Sequence, residues 1–291
     1  MRVDAIEVLS GDVRLSGAVW APNHGSGPSG VVLVGGSGPA DRSNGGYFDA
    51  LRDRFVDAGM TVLAYDKRGV GASSGMWASA GVAELAGDVV AAVAALRARP
   101  GVDAGRIGIF GHSEGGWVAL RACVSGIAPR GLVLDSCPAV SFVEAEVHAL
   151  SLAGVHVDVG RGLFHRLRAA AHSGCDCAGA RRALTEVRDP VLSEVLDSAG
   201  FRLTDETWAQ LCAWIDYAPE PDLKRLDVPA LAIYGSQDPL VPVNASKRTL
   251  AELAPSLGCR IFDGADHRLY VDGSLATGYL EAVTAWYASN L

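Results

Sequence analysis

The stretch Ile107 to Leu120, IGIFGHSEGGWVAL, admits few folds. Ile107 to Phe110 is a short β run, Ser113 stands in a turn flanked by glycines, and Trp117, Val118 and Leu120 continue at helix-compatible spacing. The order is strand, sharp turn, helix. Gly111, Ser113 and Gly115 spell GxSxG, the pattern in which a strained serine is held out at the edge of a sheet. A Cβ two residues before or after that serine would collide with the neighbouring strand and helix, so glycine is expected at both places.

The surrounding chain alternates buried strands with helices. Val3–Val8 and Val13–Trp20 read as an edge hairpin, and after a connection over 22–30 the run Val31–Val34 reads as a strand buried on both faces. A helix is expected over Tyr47–Ala58, a strand over Thr61–Tyr65, a helix over Glu84–Arg99 and strands over Gly131–Asp135, Leu231–Tyr234 and Cys259–Phe262. The late helices are expected over Asn244–Leu253 and Leu275–Asn290. Between Pro138 and Leu226 the patterns turn helical, as in LFHRLRAAA, PVLSEVLDSA and ETWAQLCAWI, and no strand of the buried parallel type is found. The expected organisation is therefore a core over 1–137 and 227–291, interrupted by a helical cap over 138–226.

Composition narrows the partners. A chain of 291 residues, 49% hydrophobic and with a formal net charge of -8, can bury a large core but carries no basic footprint for nucleic acid or an anionic membrane. A small-molecule partner is expected, with a homodimer possible. Neither a signal-peptide pattern nor a membrane-spanning apolar run is present, which points to a cytoplasmic protein. The six cysteines follow no framework spacing, so disulfides are not required. His172, Cys175 and Cys177 match no common zinc pattern, and DKRGVGASSG, 66–75, lacks the full glycine signature of a nucleotide loop. Neither metal nor cofactor is expected.

A serine hydroxyl needs a base to take its proton, and the base needs an acid to hold its tautomer. In the order Ser, Asp, His, each member should follow a late strand, because those loops share the carboxyl edge of a parallel sheet. Asp238 follows the strand 231–234 and His267 the strand 259–262. Asp238 is preferred as the acid, against Asp135, which ends another strand and would reach the same histidine, and Asp266, which merely adjoins it. His112 is expected to turn into packing. The glycine-rich loop GGSGPADRSNGG, 35–46, is suited to pointing N–H groups at an oxyanion.

These motifs together resemble the α/β-hydrolase superfamily, in its serine esterase and lipase-like group. The resemblance rests on GSGPxDR at Gly36–Arg42, DKRGxGxS at Asp66–Ser73, GHSEGG at Gly111–Gly116 and GADH at Gly264–His267, and covers nearly all of the chain outside the cap. It implies an α/β-hydrolase fold with Ser113 as nucleophile, His267 as general base and acid and Asp238 as orienting carboxylate. It also implies an oxyanion hole built from the N–H of Glu114 and that of Ser37, with Gly36 as the alternative. The expected activity is hydrolysis of a small or medium carboxylic ester. The alternatives are a lactone, thioester or amide on the same triad, or a homologue that binds its ligand without cleaving it.

Overall fold

Strands with apolar side chains on both faces demand cover on both faces, and the chain supplies it with helices. The computed structural model describes residues 1–23, 29–185 and 202–291. The strands are β1 (Arg2–Ser10), β2 (Val13–Ala21), β3 (Gly30–Val34), β4 (Thr61–Tyr65), β5 (Ile107–His112), β6 (Gly131–Asp135), β7 (Ala230–Gly235) and β8 (Gly258–Phe262). They form one sheet in the order β1-β2-β4-β3-β5-β6-β7-β8. β2 is antiparallel to both β1 and β4, and from β4 to β8 every pairing is parallel. The strands β3 to β7 are buried along their whole length, whereas β1 and β8 expose residues as edge strands do. A further short hairpin joins β9 (Tyr270–Val271) to β10 (Ser274–Leu275).

The helices are α1 (Phe48–Asp57), α2 (Val82–Arg97), α3 (Glu114–Ala122), α4 (Phe142–Leu152), α5 (Val157–His172), α6 (Cys177–Thr185), α7 (Asp205–Trp214), α8 (Glu220–Leu223), α9 (Val243–Leu253) and α10 (Tyr279–Asn290). On one face of the sheet α1 and α10 pack Phe48, Phe55, Tyr279 and Tyr287 into a core that includes Phe110. On the other, α2 and α3 bury Val89, Leu96, Trp117 and Leu120. Two helix starts differ by more than one residue from the sequence expectation, for local reasons. The Glu84 carboxylate accepts from the Gly81 N–H at 3.1 Å, so Glu84 lies inside α2 and the helix starts at Val82. Leu275 pairs in the β9–β10 hairpin, and Gly278 at φ 78° opens α10 four residues later than expected.

The chain between β6 and β7 carries α4 to α8. Val147, Leu163, Phe164, Leu167, Trp208 and Ile215 form a hydrophobic cluster of their own there. Trp214 and Tyr217 join it to the sheet-bearing part. Trp214 is 1% exposed, stacks on Trp117 with ring centroids 6.0 Å apart, and donates its indole N–H to the Ala80 carbonyl at 3.1 Å. The helical pattern PVLSEVLDSA lies outside the described residues, as does most of the 22–30 connection, of which Gly30 already belongs to β3.

Candidate active site

Ser113 stands between β5 and α3 with φ 56° and ψ -125°, a conformation that a non-glycine residue adopts only where its surroundings impose it. Its own N–H donates to the Asp135 carbonyl at 2.8 Å and its carbonyl accepts from the Gly116 N–H at 2.9 Å. The two motif glycines are sterically compelled. A Cβ at Gly111 would overlap the Gly115 backbone, and one at Gly115 would overlap the Val34 and Gly35 carbonyl oxygens. The turn therefore presses against the end of β3.

His267 and Asp238 meet at the same edge of the sheet. His267 Nδ1 lies 2.8 Å from Asp238 Oδ2, and the Asp238 side chain is fully buried. Its other oxygen, Oδ1, accepts from the Leu240 and Val241 N–H groups at 2.8 and 3.0 Å, which fixes the carboxylate's orientation. The loop carrying His267 is stitched to the end of β7. Gln237 N–H donates to the Ala265 carbonyl, and Ser236 Oγ bridges the Gly264 N–H and Asp263. Gly235 permits this approach, since a Cβ there would overlap the Ala265 and Asp266 carbonyl oxygens. The Asp266 side chain is occupied elsewhere, because its Oδ1 accepts from the Arg268 and Tyr270 N–H groups and shapes the turn after His267.

Asp135 does not serve His267. It is completely buried beneath the elbow, where His112 Nδ1 and the Tyr47 and Tyr279 hydroxyls each lie 2.8 Å from its carboxylate. The expectation that His112 merely packs is thus corrected in part: it packs, with its ring centroid 5.0 Å from that of His267, and it is also hydrogen-bonded to Asp135. Burial lowers the His112 pKa, against the opposing pull of Asp135, which favours a neutral ring beside His267.

The glycine-rich loop after β3 lies against the serine turn. A Cβ at Gly36 would sit 3.4 Å from Ser113 Cβ. The Gly36 N–H donates to Asn44 Oδ1 at 3.2 Å, whereas the Ser37 N–H has no hydrogen-bond partner among the described residues. The Glu114 N–H belongs to the first turn of α3, where no intrahelical acceptor exists. Two arginines around this loop are scaffold. Arg42 grips Asp66 through Nε and Nη2 at 3.0 and 2.6 Å, and Arg68 grips Asp88 through Nε and Nη2 at 2.8 and 2.7 Å. Arg68 of DKRG is therefore turned into an internal pair.

A cavity of about 340 Å³ opens beside this loop, lined by Ser37, Phe142, Glu146, Phe164, Thr207 and Gln210. Half-buried Glu146 is pushed up to about 7, first by desolvation and then by the nearby Glu114 carboxylate. A second cavity, about 540 Å³, lies behind Asp238 between His148 and Val243. Lys67, Gln210, Gly235, Tyr47 and Tyr279 were not assigned to the site from sequence, because each acts through partners distant in the chain.

The model of the family described as serine aminopeptidase, S33, matches residues 31–274, which include the glycine-rich loop 35–46, the serine turn, Asp238 and His267. The chain belongs to that family. It is thereby a hydrolase of the α/β-hydrolase superfamily, in agreement with its mostly parallel sheet. Among curated proteins, a non-heme chloroperoxidase of Streptomyces lividans is 26% identical over 231 residues, covering 73% of this chain and 77% of that one. The non-heme chloroperoxidase CPO-A1 of Kitasatospora aureofaciens is 35% identical over 46 residues, and the match spans only 17% of that protein's length. Among solved structures, the Pyrococcus furiosus esterase Pf2001 superposes with a TM-score of 0.64 at 19% identity, over 100% of this chain and 90% of that one. No helix among the described residues is long and apolar enough to cross a membrane.

Proposed function

We propose that this hydrolase cleaves carboxylic esters of small or medium-sized molecules through Ser113, His267 and Asp238. The observation that carries the reading is the strained Ser113 at the strand-to-helix turn, with His267 bound to the buried Asp238 and its ring 5.0 Å from that of His112, the residue before the serine. In the mechanism, Asp238 holds Nδ1–H of His267 and leaves Nε2 free to accept the serine proton. Ser113 Oγ attacks the acyl carbon as its proton passes to Nε2, and the carbonyl oxygen gains the negative charge. The Ser37 and Glu114 N–H groups receive that oxyanion. The protonated imidazole then gives its proton to the departing alkoxide as the C–O bond breaks. Water repeats the sequence on the acyl-enzyme and releases the acid.

The helices between β6 and β7 would act as a cap, with the apolar walls of the smaller cavity taking the substrate. The Pyrococcus furiosus neighbour is named an esterase, and an ester substrate agrees with that name. A panel of p-nitrophenyl esters from acetate to octanoate tests the reading. The wild type should turn over at least one member, and Ser113→Ala should abolish that turnover. Wild-type protein inert towards every member would refute an ester substrate.

A further inference from the structure

Lys67 is 7% exposed, yet its ammonium is not spent on a simple ion pair. Nζ donates to the Gly36 carbonyl oxygen at 2.5 Å and to Glu114 Oε1 at 2.9 Å. Both partners adjoin a proposed oxyanion donor. The Gly36 carbonyl belongs to the peptide whose nitrogen is that of Ser37, and Glu114 carries the other N–H on its own backbone. In a planar trans peptide the C=O and N–H point in opposite directions, so an acceptor drawn to one side turns the donor to the other. We propose that Lys67 is a positioning residue of the oxyanion hole: by drawing the Gly36 carbonyl away from the site, it aims the Ser37 N–H into it. The proposal rests on the ester-hydrolase reading above.

Three further observations support this role. The Gly36 Cα lies against the serine turn, so the 36–37 peptide borders the reacting position. The Gly36 N–H is tied to Asn44, which leaves rotation of the 36–37 peptide as the freedom that Lys67 must remove. Gln210, on α7, donates to Ser37 Oγ at 3.0 Å and to Glu114 Oε2 at 3.2 Å, so one amide from the proposed cap holds both Glu114, which the lysine also holds, and Ser37, whose peptide carbonyl the lysine draws on. A glycine-rich loop without such a clamp can flip its peptide plane and present an oxygen to the developing negative charge.

The test compares wild type with Lys67→Met, with Lys67→Gln as a second variant where the first does not fold; thermal melting establishes folding. Each is measured for kcat and KM on the best ester of the panel and for inhibition by an aryl trifluoromethyl ketone. In that adduct Ser113 Oγ bonds to the ketone carbon, its proton moves to His267, and the former carbonyl oxygen becomes an oxyanion. The expected result in a folded variant is a fall in kcat of about 100-fold or more, KM within about threefold of wild type, and a loss of trifluoromethyl ketone affinity that parallels the loss in kcat/KM. A folded variant that keeps wild-type kcat overturns the proposal. So does one whose kcat falls while ketone affinity is retained, since the oxyanion would then be held without Lys67. Wild-type protein that hydrolyses no ester and binds no ketone would instead overturn the underlying hydrolase reading.

Discussion

At the scale of single residues, two buried carboxylates near the serine do different work because their partners differ. Asp238 accepts from two backbone N–H groups and the His267 ring, whereas Asp135 accepts from two tyrosine hydroxyls and His112. Asp238→Asn should lower kcat by about 10⁴-fold with little change in melting temperature, because the amide favours the wrong tautomer of His267. Asp135→Ala should instead destabilise the protein by about 3 kcal/mol, since it takes the acceptor from His112 and from two tyrosine hydroxyls of which only one can then donate to the other, and denaturant titration reads that loss. Glu146 gives a pH signature. Its folded pKa, about 7, lies above its ordinary value, so the folded state holds a proton that the unfolded chain has released. Its effect on stability is absent below the ordinary value and grows unfavourable as pH rises towards and through about 7. Glu146→Gln should therefore flatten the fall in melting temperature between about pH 5 and 8, raising it most at the alkaline end.

At the scale of elements, close backbone approach explains why the loops at the carboxyl edge tolerate so little change. Gly235→Ala would drive a Cβ into the Ala265 and Asp266 carbonyls, which belong to the loop bearing His267. The expected outcome is a loss of kcat larger than the loss of stability implies, checked by measuring both on one preparation. The strands were legible in the sequence because buried parallel strands are continuous apolar runs, and Thr61–Tyr65 and Gly131–Asp135 fall where that reading puts them. The strained turn at Ser113 was legible through local sterics, since its two glycines lie within two residues of it. Lys67 was not. Its meaning depends on Gly36 and Glu114, 31 and 47 positions away, and its local context DKRG resembles a surface loop as much as an internal clamp. Gly235 was missed for the same reason, because the backbone it must admit comes from a later loop.

At the scale of the whole molecule, the two covered faces of the sheet leave its carboxyl edge as the place where loops from β3, β5, β7 and β8 converge. The helices between β6 and β7 were legible as a helical segment, but their docking was not, because it depends on Trp214 meeting Trp117 and Ala80. Trp214→Ala should cost about 3–5 kcal/mol and weaken the near-ultraviolet circular dichroism of the stacked pair. The central claim, an activated Ser113, is tested most directly by intact mass after treatment with a fluorophosphonate, with wild type and Ser113→Ala side by side. A single adduct on the wild type that is missing from the variant is the predicted result. A folded wild type that gains no adduct, or a variant that gains the same one, would contradict it.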